Sequence, residues 1–105
     1  KKARALNVVG LWPVPGAKET IVLGAHLDHL GFNEGGNSLA PKSKEPHIGA
    51  DDNASGVAAV MQIAQNLSVK ITAGELKPKQ NILIGLWTGE EIGILGSSQF
   101  VKSAK

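Results

Sequence analysis

The chain has 105 residues, of which 42% are hydrophobic and 19% are charged, with 13 glycines and 5 prolines. This ordinary composition excludes a disordered tail and a collagen-like repeat, and the length fits one small domain or part of a larger one. The net charge is only +2 and aromatic residues make up 4%, so we expect no nucleic-acid binding by a basic surface interleaved with aromatics.

The chain contains no cysteine. Disulfides and thiolate ligands are therefore excluded, and any metal must be held by histidine and carboxylates. The apolar runs fall well short of the roughly 20 residues that a membrane span needs, so we expect no span. No segment of the sequence has the features of a signal peptide.

Two strands are predicted first in chain order. Residues 6–14 are apolar and β-branched, and they end at a proline-rich turn. Residues 19–25 contain a continuous Ile-Val-Leu core, which predicts burial on both faces. These two strands are compatible with an antiparallel hairpin. A polar loop over residues 31–49 follows, and a loop of this length is typical of a functional segment.

The second half of the sequence alternates helix and strand. Residues 53–67 carry apolar side chains at helical spacing, with Asp52 or Asn53 as the N-cap. Residues 81–87 form the most apolar strand, so we expect them at the centre of the sheet, and a last helix is predicted over 93–103. The order strand, helix, strand, helix predicts a parallel pair with a right-handed crossover, and the fold class is α/β.

Acidic and histidine side chains are concentrated in three segments: GAHLDHLG after the second strand, GADDNASG at the first helix, and WTGEEIG after the third strand. Because ligands bind beyond the carboxyl ends of parallel strands, all three segments map to one edge of the sheet. An imidazole with several carboxylates suits zinc, manganese or cobalt. A bridging carboxylate would allow two metal ions to clamp and activate a water.

The spacing within these segments also suggests a division of roles. Glu90 and Glu91 are neighbours that project in different directions, so one can ligate a metal while the other acts as a general base. Asp28 lies two residues after His26 and can orient that imidazole without itself binding the metal.

Each segment also has a purely structural interpretation. Acidic residues at a helix start complement the helix dipole, which applies to Asp51-Asp52 and to Glu90-Glu91. A single histidine after a strand, such as His26, is often structural. Of the remaining histidines, His29 is assigned to local packing and His47 to the loop. The structural interpretation must hold at all three segments at once, and the flanking glycines, which allow close backbone approach, are unusual for simple capping.

The segments GAHLDHLG, GADDNASGVAA and WTGEEIGILGS, in this order, resemble the motifs of the M28 family of co-catalytic zinc metallopeptidases, most of which are aminopeptidases. The resemblance extends from NVVG through GSSQF. It implies an α/β sandwich around a mixed, largely parallel sheet flanked by helices. Residues 1–105 would form a single partial domain, the N-terminal portion of the catalytic domain. The resemblance also implies a secreted or periplasmic protein.

Position by position, the resemblance implies a site with two zinc ions, which Mn²⁺ or Co²⁺ could replace. His26 would ligate one zinc, Asp52 would bridge both, and Glu91 would ligate the other. Glu90 would be the general base that takes a proton from the bridging water, and Asp28 would orient His26. The implied reaction is hydrolysis of the N-terminal peptide bond of a peptide or aminoacyl substrate.

The resemblance also implies ligands that this sequence lacks. After Glu91 the sequence contains no Asp, Glu or His, whereas the family has a further acidic ligand and a final histidine there. Each zinc would have two of its three protein ligands, so we expect this chain alone to be inactive or weakly active. Uncovered apolar surface is also expected to make the chain self-associate.

Two other functions are compatible with the sequence. One is a catalytically inactive M28-like domain that serves as a scaffold or receptor; the intact set of candidate ligands and base opposes it. The other is a small basic protein that binds anions or nucleic acid at helix N-termini. Its affinity would fall steeply with salt, and the carboxylates near those termini oppose it.

Overall fold

The computed structural model describes residues 2–104. It contains three strands and two main helices: β1 (Val8–Trp12), β2 (Thr20–His26), α1 (Gly56–Thr72), β3 (Asn81–Trp87) and α2 (Leu95–Ser103). All five predicted elements are present, and the α/β class is confirmed. The largest difference concerns α1, which begins three residues later than predicted and continues to Thr72, because an irregular turn over Ala50–Ser55 precedes it.

The most apolar strand, β3, lies at the centre of the sheet, as predicted, and the strand order is β1-β3-β2. Strand β2 runs parallel to β3, so that Thr20 is beside Asn81 and His26 is beside Trp87. This confirms the predicted parallel pair.

Strand β1 pairs antiparallel with β3, so a hairpin between the first two strands is wrong. With β1 and β2 on either side, both edges of the most apolar strand are hydrogen-bonded. The described sheet is therefore mixed, with one parallel and one antiparallel pair, and it does not show the predicted predominance of parallel strands.

Two asparagines fasten the ends of β3 to its surroundings. At the beginning of the strand, the Val14 N–H donates to Asn81 Oδ1 at 2.7 Å. Beyond its end, the Thr88 N–H donates to Asn7 Oδ1 at 3.0 Å, and Asn7 Nδ2 donates to the Gly96 carbonyl at 2.9 Å. The second set of bonds joins the segment before β1 to the start of α2, next to the loop that carries the predicted acidic pair.

The two helices lie against opposite faces of the sheet. Helix α1 packs on β2 and β3, and its Val60 is the one hydrophobic side chain among residues 2–104 that is nearly completely buried, at 5% exposure. On the other face, the ring of Trp87 packs against Phe100 of α2, with 5.0 Å between the ring centroids. Side chains alternate between faces along a strand, which places Trp87 opposite the α1-facing residues of β3.

Much apolar surface remains exposed. The solvent-accessible area is 7929 Å², whereas a compact monomer of this size exposes about 5,600 Å². The predicted burial of β2 on both faces is wrong, because Ile21 is 53% and Val22 is 49% exposed. An open apolar groove of about 360 Å³ lies between β1, β3 and α1, with Leu67 and Ile84 in its walls.

Replacing Gly24 by alanine is expected to destabilise the full-length protein by about 1–3 kcal/mol, because overpacking forces neighbours apart. A Cβ at Gly24 would lie 2.7 Å from the Gly85 carbonyl oxygen and would overlap the indole of Trp87. Gly10 of β1 is the matched control, since a Cβ there has nothing within 4 Å. Gly10→Ala should be neutral or stabilising by up to about 1 kcal/mol. Denaturant unfolding measures both, and equal effects would contradict the packing argument.

Candidate metal centre

The three predicted segments meet at the carboxyl end of β2 and β3. His26, the last residue of β2, has its Nε2 atom 3.1 Å from Asp52 Oδ1 and 3.8 Å from Glu90 Oε2. Two overlapping sets of residues have possible ligand atoms within 4.8 Å of one another: His26, Glu90 and Glu91, and His29, Asp52 and Glu91. All four residues predicted as metal ligands or general base therefore lie in one cluster.

The orientation of His26 is set by its neighbour two residues along. His26 Nδ1 lies 3.1 Å from the backbone carbonyl oxygen of Asp28, and because a carbonyl only accepts, Nδ1 carries the hydrogen. The other ring nitrogen, Nε2, then faces Asp52 and is the atom available to bind a metal once it carries no hydrogen. The Asp28 carboxylate is 3.6 Å from Nδ1, so the carbonyl makes the closer contact.

The carboxylate of Asp28 holds the loop after β3. Its Oδ1 accepts the Glu90 N–H at 3.1 Å, and its Oδ2 accepts the Glu91 N–H at 3.2 Å. The Leu27 N–H also donates to the Trp87 carbonyl at 2.8 Å, which extends the contact between β2 and β3 by one step. The backbone of Glu90 and Glu91 is therefore held in a fixed position beyond the carboxyl end of the sheet.

The two adjacent glutamates differ in how firmly they are held. Glu91 is bonded at three points: its N–H by Asp28, its carbonyl by Asn37 Nδ2 at 2.7 Å, and its Oε1 by His29 Nδ1 at 2.8 Å. Its side chain is 18% exposed. The Glu90 backbone is also bonded, since its N–H donates to Asp28 and its carbonyl accepts the N–H groups of Gly93 and Ile94. Its side chain, however, is 37% exposed, and its nearest charged partner is His26 Nε2 at 3.8 Å. Of these two neighbours, Glu91 has the fixed carboxylate, which suits ligation, and Glu90 has the freer one, which suits proton transfer.

Asp52 reaches the site from the irregular turn that precedes α1. Asp52 and Asn53 have non-helical backbone angles, and the peptide bond between them is cis. The N-cap position of α1 is Ser55, so the prediction of Asp52 or Asn53 as the N-cap is wrong. Asn53 Oδ1 still accepts the Gly56 N–H at 3.2 Å, from two residues before the N-cap. Asp52 makes no such bond, and its side chain, 66% exposed, is directed toward His26.

Asp51 and His47 lie outside the cluster. The Ser55 hydroxyl donates to the Asp51 carbonyl at 2.6 Å, so Asp51 contributes to its own turn. His47 closes the polar loop: its Nδ1 is 3.0 Å from the Gly31 carbonyl, and its Nε2 is 2.6 Å from the Ser38 hydroxyl. The prediction that His47 is a loop residue is confirmed.

His29 is the residue that sequence reasoning missed. Its assignment to local packing alone is wrong, because it contacts the Glu91 carboxylate directly. One signal in the sequence points to His29: it directly follows Asp28, which the sequence already places in the candidate site. The partner, Glu91, is 62 residues away in the chain, and no local pattern connects the two.

The cluster carries excess negative charge. The carboxylates of Asp28, Asp52, Glu90 and Glu91 face two imidazoles, and among residues 2–104 no lysine or arginine nitrogen lies within 4.0 Å of them. A divalent cation would offset this charge. Zinc bonds of about 2.0–2.2 Å place neighbouring tetrahedral ligands about 3.3 Å apart, close to the 3.1 Å between His26 Nε2 and Asp52 Oδ1. The residues present fit zinc.

The profile of Peptidase family M28 matches residues 7–105. The chain belongs to peptidase family M28. This M28 chain is 35% identical over 106 residues to a probable leucine aminopeptidase of Trichophyton verrucosum, an alignment that covers 99% of this chain and 25% of that protein. It is 28% identical to leupeptin-inactivating enzyme 1 of Streptomyces exfoliatus, over 96% of this chain and 19% of that enzyme.

A third relative carries a different peptidase name. The M28 chain is 32% identical to the probable glutamate carboxypeptidase LAMP1 of Arabidopsis thaliana, over 95% of this chain and 12% of that protein. The chain thus spans a quarter or less of the length of these three relatives. No solved structure shows a significant match.

These findings confirm the family predicted from the three segments, and they confirm a peptidase at the level of the family. In the part of the chain that the structure describes, neither α1 nor α2 combines the length and the apolarity that a bilayer crossing requires.

Proposed function

We propose that the protein containing this M28 chain is an aminopeptidase that uses two zinc ions, with Mn²⁺ or Co²⁺ as possible substitutes. The observation that carries the proposal is the convergence of one imidazole and three carboxylates at one sheet edge, with His26 Nε2 3.1 Å from Asp52 Oδ1. Family membership and the name of the Trichophyton relative support it.

In this proposal His26 would hold one zinc, Glu91 would hold the other, and Asp52 would be shared between them. The position of Asp52 supports the bridging role, because Asp52 has a carboxylate oxygen beside His26 and also belongs to the set of ligand atoms that includes Glu91.

Glu90 acts as the general base. When bound, the zinc ions supply Lewis-acid chemistry that activates a water and polarises the scissile carbonyl. The Glu90 carboxylate takes the proton of the attacking water and passes it to the leaving amine. Asp28 places Glu90 for this transfer by accepting its backbone N–H, and it directs His26 through the carbonyl contact.

The decisive experiment uses the full-length protein. We expect about two zinc ions per chain, hydrolysis of leucine p-nitroanilide, and no hydrolysis of the N-acetylated analogue, since an aminopeptidase needs the free amine. Removal of zinc with a chelator should abolish activity, and added zinc should restore it. Cleavage of an N-blocked peptide at a C-terminal glutamate, without cleavage of the free-amine substrate, would indicate a carboxypeptidase. A protein with neither zinc nor activity would indicate the inactive scaffold.

For residues 1–105 by themselves we propose weak zinc binding and little or no activity. Each zinc would have two protein ligands, with Asp52 shared, whereas catalytic zinc sites use three. We also propose, from the family resemblance, that the whole protein is secreted or periplasmic.

The chain of residues 1–105 is expected to self-associate, because both edge strands carry exposed apolar side chains, such as Leu11 of β1 at 58% and Ile21 of β2 at 53% exposure. Sedimentation velocity over a range of concentrations measures this. The average sedimentation coefficient should rise with concentration, and a single monomeric species at high concentration would contradict the proposal.

A further inference from the structure

His29 makes a contact for which the proposed function has no role. Its Nδ1 atom lies 2.8 Å from Glu91 Oε1, and both side chains are largely shielded from solvent, at 22% and 18% exposure. A carboxylate only accepts, so the imidazole N–H donates. A hydrogen bond to a charged acceptor is stronger than one between neutral groups.

The ring of His29 also lies close to the turn that carries Asp52. Gly49, with φ of 62°, lies beside it: a Cβ at Gly49 would be 2.6 Å from His29 Cγ and 2.6 Å from the Asp52 carbonyl oxygen. The ring therefore fills the space between this turn and Glu91. It therefore lies next to the other two segments that bring candidate ligands to the site.

The two histidines of the HLDH segment are used differently. His26 turns Nδ1 to a backbone carbonyl and leaves Nε2 for the cluster, whereas His29 turns Nδ1 to a carboxylate. The separation of 2.8 Å between His29 Nδ1 and Glu91 Oε1 is a hydrogen-bond distance. Neighbouring ligands of one tetrahedral zinc are about 3.3 Å apart. His29 belongs to one of the two sets of possible ligand atoms, but its Nδ1 is engaged in the hydrogen bond to Glu91. This bond favours a position for His29 behind Glu91 over a place beside it as a ligand.

The contact completes the fixation of Glu91. Asp28 holds its N–H and Asn37 holds its carbonyl, but neither restrains the carboxylate, which rotates about three side-chain bonds. His29 is the group that holds this end of the residue. Partners behind a metal ligand orient it and reduce the entropy lost when the metal binds.

We propose that His29 is a positioning residue for Glu91: its Nδ1–H holds Oε1 and so presents the carboxylate to the metal. The inference rests on the proposed function and deepens it, because it assigns the control of one zinc's affinity to a residue that binds neither zinc nor substrate. His29 and Asp28 then hold the side chain and the backbone of Glu91 from one short segment.

The test compares His29→Leu with His29→Asn in the full-length protein. Leucine removes the donor, whereas the asparagine amide restores an N–H near the position of Nδ1. In competition with a chromophoric chelator, His29→Leu should bind one of two zinc ions about 10–100-fold more weakly, with the other unchanged. His29→Asn should regain most of that affinity. His47→Leu is the matched control, because His47 bonds only within the loop, and it should bind zinc like the wild type.

Each alternative gives a different result. Wild-type affinity for both ions in His29→Leu would overturn the positioning role and leave the proposed function intact. If His29→Asn binds as weakly as His29→Leu, and the absorption of the cobalt-substituted protein shows a changed coordination number, His29 is a ligand and the inference is wrong. An equal loss in His47→Leu would indicate general loosening of the loop. A wild type that binds no zinc would instead refute the proposed function. Should His29→Leu not fold, His29→Ala replaces it as the variant without a donor, with the same expected loss.

Discussion

Replacing Glu90 by glutamine is expected to lower kcat of the full-length protein by about 10²–10⁴-fold, the usual contribution of a general base. Glutamine keeps the shape and the backbone hydrogen bond to Asp28 but cannot accept the proton of the attacking water. Zinc content should stay at the wild-type value, because Glu91 and Asp52 remain. Initial rates with leucine p-nitroanilide and metal analysis of the same sample measure both quantities.

Glu19→Gln is the matched control for this prediction. Glu19 directly precedes β2, at the end of the strand opposite His26, and its substitution removes the same charge from the protein. It should leave kcat unchanged. If Glu90→Gln lost a zinc ion, and the fraction that still held two zinc ions had the wild-type kcat, Glu90 would be the ligand and Glu91 the base.

Asp52→Asn is expected to weaken binding of both zinc ions, each by about 100-fold or more. The loss of a ligand should exceed the 10–100-fold cost of losing a group behind one. Both ions are affected because Asp52 is the proposed bridge. Chelator competition measures the two affinities, and activity at low zinc should fall in parallel.

Asp51→Asn is a close control for Asp52→Asn, since it changes the adjacent residue in the same way. Asp51 uses its backbone carbonyl to accept the Ser55 hydroxyl and lies in neither set of candidate ligand atoms. Its substitution should leave both zinc affinities within about threefold of wild type, well below the 10–100-fold effect of losing even an indirect partner. Loss of only one zinc in Asp52→Asn would show that Asp52 is a terminal ligand and that another group bridges.

The two substitutions separate metal binding from chemistry. Glu90→Gln should keep the metals and lose the rate, whereas Asp52→Asn should lose both together. The structure supports this separation, because Asp52 Oδ1 lies 3.1 Å from His26 Nε2, whereas Glu90 Oε2 lies 3.8 Å from it. A scaffold protein without catalysis would show neither pattern.

The elements of this chain could be predicted because their signals are local. An apolar run such as 81–87 and the helical spacing after Asn53 depend on near neighbours in sequence, and both elements are present. The position of β1 could not be predicted in this way. Its pairing with β3 places Val8 beside Leu86, which is far away in the sequence. Strand β1 could pair with β2 or with β3, and only pairing with β3 gives that most apolar strand a hydrogen-bonded neighbour on both edges.

The candidate site divides along the same line. His26, Asp52, Glu90 and Glu91 were found from sequence because each belongs to a short segment with a chemical pattern, and parallel strands bring their carboxyl ends to one edge. The sequence by itself therefore determined the family, the fold class and the candidate ligands.

The tertiary structure alone decided how those ligands are held. It showed that Asp28 accepts the backbone N–H groups of both glutamates and that Asn37 and His29 fix Glu91. These bonds join residues more than 50 positions apart in the chain. A hydrogen bond depends on distance and angle in space, and such distances are set only when the strands, the loop and the turn before α1 have packed together.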